Sequence, residues 1–144
     1  MDDTTKGIIS RIAVPGDPLR WNTAVLNPNE LARMAADAVG HLDESIFDVA
    51  IGIAYSGVLF AAAVAGGHEV SILQQDGKFW GPSIAGKKVI IVDDQARDLL
   101  RLQDGFAKAQ AAGGTVVGFA VLIDATAGAS GTLPAPLWSA YLNA

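Results

Sequence analysis

Short β-branched runs alternate with helical stripes along this chain. Val89-Ile90-Ile91-Val92 is an unbroken β-branched run that stops at Asp93 and Asp94. Such a run reads as a strand buried on both faces, as in the middle of a parallel sheet. Asp48–Ala54, His68–Gln74, Lys87–Asp93 and Thr115–Ile123 are the predicted strands, the last ending at Asp124. Asn27-Pro28-Asn29-Glu30 opens a helix: Asn caps, Pro takes the first position and Glu stands at the capping-box site. Leu31, Met34, Ala35, Ala38 and Leu42 give that helix, about Pro28–Leu42, its apolar stripe. Tyr55-Ser56-Gly57 reads as a tight turn before a small-residue helix, Val58–Ala65. Gln75–Gly86 reads as a polar loop or hairpin. Asp98–Ala112 is a helix with Leu99, Leu102, Phe106 and Ala109 on one face, ended by Gly113-Gly114. Residues 1–26 read as irregular because Pro15, Gly16 and Pro18 interrupt them, and the tail Leu133–Leu142 returns as a short strand or cap. Strand, helix, strand, strand, helix, strand is the order of a doubly wound α/β sheet.

Composition narrows the partners more than the fold. At 144 residues, the chain reads as a single domain, residues 1–144, with a sizeable core. The longest apolar stretch, Ile46–Ala65, is broken by Asp48, Gly52, Ser56 and Gly57, so a membrane span is not expected. The opening MDDTTKG is acidic and polar and carries no secretory signal, so a cytoplasmic protein is expected. The absence of cysteine excludes disulfides and thiolate metal sites, and His41 and His68 lack ligand spacing for a transition metal. A net charge of −5 excludes nucleic acid as the main partner. It leaves room for an anionic small molecule met by local Lys, Arg and backbone amides.

The candidate chemistry gathers around the two acids. Open α/β sheets bind ligands at the carboxyl ends of their strands, where Asp93 and Asp94 fall. Adjacent acids are seldom buried without partners, so the pair is expected to face a cleft. Either acid suits a base or a cation-stabilising carboxylate; a structural pair capping the next helix or paired with Arg97 is the alternative. Arg97 and Arg101, one turn apart, face solvent or pair with Asp93, Asp94 or Asp98. Amides of Tyr55-Ser56-Gly57 suit an anion at a helix start, unless the segment is only a turn. Gln74 and Gln75 are amides able to read a polar ligand or plain surface residues. Phe79 and Trp80 in a polar loop mark a contact surface, covering a flat ligand or a partner subunit. With Trp138 and the apolar excess, Trp80 motivates a homodimer. Asp124 lines the ligand pocket or caps a turn.

Four segments carry a resemblance to a known family: FDVAIGIAYSGVLFAAAVA (Phe47–Ala65), QQDGKFWG (Gln74–Gly81), GKKVIIVDDQA (Gly86–Ala96) and AAGGTVVGFAVLIDAT (Ala111–Thr126). In order and spacing they resemble the type I phosphoribosyltransferases, most closely the orotate enzymes, over residues 28–126. The resemblance implies a mainly parallel sheet of about five strands and a reduced hood. It implies glycosyl transfer from phosphoribosyl pyrophosphate, with Tyr55–Gly57 at the pyrophosphate, Asp93 and Asp94 at the ribose hydroxyls, and Mg²⁺ if a pyrophosphate-bearing substrate binds. Lys78 is the one cation left of the family's catalytic loop, where Gln74, Gln75 and Trp80 replace Arg, Lys and His.

The departures fall on the chemistry. After Gln95 and Ala96, Arg97-Asp98-Leu99-Leu100-Arg101 stands where the family has a Thr/Gly-rich phosphate cradle. Leucines replace glycines that let backbone approach phosphate. An aspartate about 4 Å from a phosphate costs roughly 4 kcal/mol per charge pair at an effective dielectric near 20. The expectation is a diverged enzyme of this family acting on a small polar or nucleotide-like substrate. Ordinary orotate-type transfer and a non-catalytic ligand-binding or regulatory role are the alternatives.

Overall fold

In the computed structural model, which describes residues 3–143, the sheet is built from Val49–Ile53 (β1), Glu69–Leu73 (β2), Phe79–Trp80 (β3), Lys88–Ala96 (β4), Thr115–Asp124 (β5) and Leu137–Leu142 (β6). The six strands lie in the order β3-β2-β1-β4-β5-β6. All neighbours pair in parallel except β2 and β3, which form an antiparallel hairpin. Beside the four strands of the alternating pattern, the tail adds β6 on β5, with Trp138 opposite Ala120, and Phe79–Trp80 adds β3 on β2.

Alternation along the strands divides the core between two faces. Ala50, Ile90, Val92, Ala120 and Leu122 meet three helices, Asp3–Ile12 (α1), Pro28–Val39 (α2) and Val58–Ala65 (α3). Val49, Ile51, Val89, Ile91, Phe119 and Val121 meet Leu100–Ala111 (α4) on the other face. The capping box of α2 is formed: Glu30 N–H donates to Asn27 Oδ1 at 2.9 Å and Asn27 N–H to Glu30 Oε1 at 3.1 Å. Gly40 takes the C-cap, so α2 ends before Leu42. Among the described residues no helix is long and apolar enough to cross a membrane.

Three expectations need correction. Residues 1–26 are not irregular throughout, because α1 buries Ile8, Ile9 and Ile12 against the sheet's first face. The helix after the acids starts at Leu100 rather than Asp98, and Asp98 Oδ1 accepts from the Leu100 N–H at 2.9 Å. Finally, the acids do not end their strand: β4 runs on to Ala96, with Asp93, Gln95 and Ala96 registered against Val121, Ile123 and Asp124. The longer β5 supplies the backbone partners that keep β4 extended. Trp138 lies over Gly118 of its own sheet; a Cβ there would come within 2.1 Å of the indole.

Candidate functional site

From β1 the chain turns to β2 on one side of the sheet and returns to β4 on the other. Strands β1 and β4 therefore flank a topological switch point, where open α/β sheets form ligand crevices. A cavity of about 620 Å³ lies there, walled by the β1–α3 turn, the end of β4, the start of α4 and the segment Arg20–Ala24.

Because successive strand residues point to opposite faces, the acids diverge. Asp93 points toward α4. Arg101 Nε donates to its Oδ2 at 2.8 Å, Arg101 Nη2 to Oδ1 at 3.4 Å and Ser56 Oγ to Oδ1 at 3.2 Å. Arg101 Nη2 also reaches Ser56 Oγ at 3.3 Å. Asp94 points toward the N-terminal cover, and its Oδ2 accepts from Thr23 Oγ1 at 2.9 Å and Gln95 Nε2 at 3.3 Å. Gln95 Nε2 also donates to the Trp21 carbonyl at 3.0 Å, which fastens the cover to β4. The Gln95 Oε1 is buried and has no hydrogen-bond partner among the described residues.

Burial pushes the Asp93 carboxyl up from 3.8 to about 6; the Arg101 cation opposes that rise and the Asp94 charge reinforces it. The ion pair loses this contest because Asp93 is 2 % exposed at its side chain whereas Arg101 is 51 % exposed and screened by water. A carboxyl titrating close to neutrality in a cavity is suited to proton transfer. Arg20 and Arg97 also line the cavity and are exposed. No hydrogen bond or ion pair of either guanidinium occurs among the described residues.

The sequence-predicted residues separate into two groups. Tyr55, Ser56, Asp93, Asp94, Gln95, Ala96, Arg97 and Arg101 are brought together on the cavity wall. Gly57 lies beneath it, so close to β4 that a Cβ would meet Val92 O at 2.7 Å and Asp93 Cα at 2.9 Å. Gln74, Gln75, Lys78 and Trp80 belong to the β2–β3 hairpin, across β2 and β1 from the acids, and are not among the lining residues. Trp80 is 68 % exposed. Asp124 caps a turn, its Oδ1 accepting from Thr126 N–H at 3.0 Å and Thr126 Oγ1 at 2.6 Å. Sequence reasoning missed Arg20, Trp21 and Thr23. Their signal was a buried-type aromatic between polar residues in a segment too short to show periodicity.

Residues for a divalent metal fit poorly. Each of the four oxygens of Asp93 and Asp94 already accepts a hydrogen bond, and a guanidinium stands on Asp93. Among the described residues no group of three or more His, Asp or Glu gathers to hold a metal ion.

The architecture is the type I phosphoribosyltransferase fold. The chain is similar to the orotate phosphoribosyltransferase of Mycobacterium tuberculosis H37Rv in complex with inorganic phosphate, at 18 % identity and TM-score 0.78 over 96 % of this chain and 86 % of that one. The same enzyme in complex with 5-phospho-α-D-ribosyl 1-diphosphate matches at 22 % identity and TM-score 0.73, over 96 % of this chain and 87 % of that one. The adenine phosphoribosyltransferase of Thermoanaerobacter pseudethanolicus matches at 18 % identity and TM-score 0.66, over 81 % and 80 % of the two chains. No protein-family model and no curated protein matches the sequence.

Proposed function

We propose that this chain is a diverged enzyme on the phosphoribosyltransferase scaffold, acting on a small polar or nucleotide-like substrate in the β1–β4 cavity without the family's grip on phosphoribosyl pyrophosphate. The carrying observation is the start of α4. There the Asp98 carboxylate takes the Leu100 N–H at 2.9 Å, so an internal anion sits where a helix N-terminus would otherwise receive a phosphate. The solved neighbours that hold phosphate or a ribosyl diphosphate support the choice of a nucleotide-like ligand.

In this reading Arg20 and Arg97 hold the ligand's anionic group, since guanidinium forks suit phosphate and carboxylate. Gln95 Oε1, buried without a donor, accepts a ligand N–H or O–H. Tyr55 and Leu59 cover an apolar ring face at the mouth. Asp93 takes the proton, being ionised at pH 7 yet close enough to its pKa of about 6 to give the proton back.

Calorimetric titration tests the reading. A nucleoside 5′-monophosphate should bind in the micromolar range, while phosphoribosyl pyrophosphate with Mg²⁺ should not. Micromolar binding of the latter would restore ordinary orotate-type transfer and overturn the proposal. Asp93→Asn should keep ligand binding and lose turnover. A non-catalytic ligand-binding role is the second reading, favoured by the full set of hydrogen bonds on Asp94. Unchanged function in both Asp93→Asn and Asp94→Asn would decide for it.

A further inference from the structure

We infer that Arg101 is a built-in cation that stands over the acid pair and excludes a divalent metal from it, so that an anionic ligand enters this cavity metal-free. The inference rests on reading the β1–β4 cavity as the ligand site, and its first test is independent of that reading.

An arginine has five N–H donors on a planar fork. Arg101 directs Nε and Nη2 at Asp93 and Ser56, and no hydrogen bond among the described residues uses its Nη1. With half of its side chain exposed, it presents the rest of that fork to the cavity it lines. A divalent ion approaching Asp93 meets a cation already seated at 2.8 Å on Oδ2. Asp94 is no substitute ligand, because Thr23, the Gln95 side chain and the Gln95 N–H occupy its oxygens.

The charges of the wall point the same way. Arg20, Arg97 and Arg101 face Asp93, Asp94 and Asp98, so the formal sum is zero. Two of those three carboxylates are spent internally, on Arg101 and on the first amide of α4. Two of the three guanidiniums are uncommitted. The cavity therefore offers cationic donors to a ligand and little bare carboxylate to a metal. Where a metal ion normally screens an anionic substrate from nearby acids, Arg101 already neutralises Asp93.

Manganese supplied alone, followed by electron paramagnetic resonance, tests the inference directly. Wild-type protein at millimolar concentration should leave the signal that of the free ion. Arg101→Gln, which uncovers the Asp93 carboxylate, should bind the ion, and Arg101→Lys, which keeps the charge, should not. A circular dichroism spectrum matching wild type establishes that each variant is folded, and Arg101→Ala, which also uncovers the carboxylate and should bind the ion, replaces the glutamine variant if that one is not. Manganese bound by wild type and released by Asp93→Asn would overturn the inference, as would an Arg101→Gln variant that is folded and binds none. In a second arm, a nucleoside 5′-monophosphate is titrated into wild type with Mg²⁺ and with EDTA. Dissociation constants should agree within about twofold, and a loss of about tenfold or more in EDTA would overturn metal-free binding. Silence in both media would sink the proposed ligand class and the metal-free entry, while the manganese arm still decides the role of Arg101.

Discussion

Asp93 couples proton binding to folding in a direction opposite to most acids. In the native protein its carboxyl titrates near 6, against 3.8 when unfolded, chiefly because it is buried. A raised carboxyl pKa means that the native state binds its proton more tightly than the unfolded chain does. The stability it contributes is complete below 3.8 and is lost as pH rises through about 6. At 1.36 kcal/mol for each pKa unit, the change is about 3 kcal/mol between those limits. Asp93→Asn removes the titration and leaves the other carboxyls in place. Urea unfolding of both proteins should therefore show wild type losing stability relative to the variant by about 3 kcal/mol from pH 3.5 to pH 7. Arg101→Gln takes away the cation that opposes the rise, so the same loss should extend to higher pH. A stability difference that stays flat, or one that favours wild type as pH increases, would refute the assignment of burial as the dominant cause.

Other outcomes follow from single contacts. Asn27→Ala removes the Oδ1 that accepts from the Glu30 N–H, leaves the backbone N–H that donates to Glu30 Oε1, and should cost about 1 kcal/mol in urea unfolding. Gly57→Ala drives a Cβ into backbone atoms of Val92 and Asp93 at 2.7 and 2.9 Å, where nothing can rotate away. It should destabilise by about 1–3 kcal/mol in thermal unfolding and weaken ligand binding with it. Asp98→Asn withdraws the internal anion from the start of α4 and should strengthen binding of a nucleoside 5′-monophosphate about tenfold, read by calorimetry.

The interior of this molecule was largely legible because β-branched runs and a complete capping signature leave few alternatives. Val58–Ala65 is the helix its small residues predict, and Val89–Val92 is buried on both faces. What escaped depended on partners distant in the chain. Thr5, Ile8, Ile9 and Ile12 have helical spacing, but nearby Pro15, Gly16 and Pro18 dominate the local reading. The links from Thr23 to Asp94 and from Gln95 to Trp21 span 71 and 74 residues, beyond any local pattern. Arg101 was one of several possible partners for the acids, and only the placement of α4 on the Asp93 face selects it. The seat of Trp138 over Gly118 was hidden for the same reason, since the pairing of β5 with β6 forms it.

The fastening of Arg20–Ala24 has a consequence for how the crevice opens. The roof is latched to the floor through Asp94 and Gln95, groups that an occupant would itself seek. A guest that competes for them unlatches the strap joining α1 to α2, whereas one that spares them leaves it shut. Cleavage of that strap by a protease thus becomes a gauge of which groups the guest has taken.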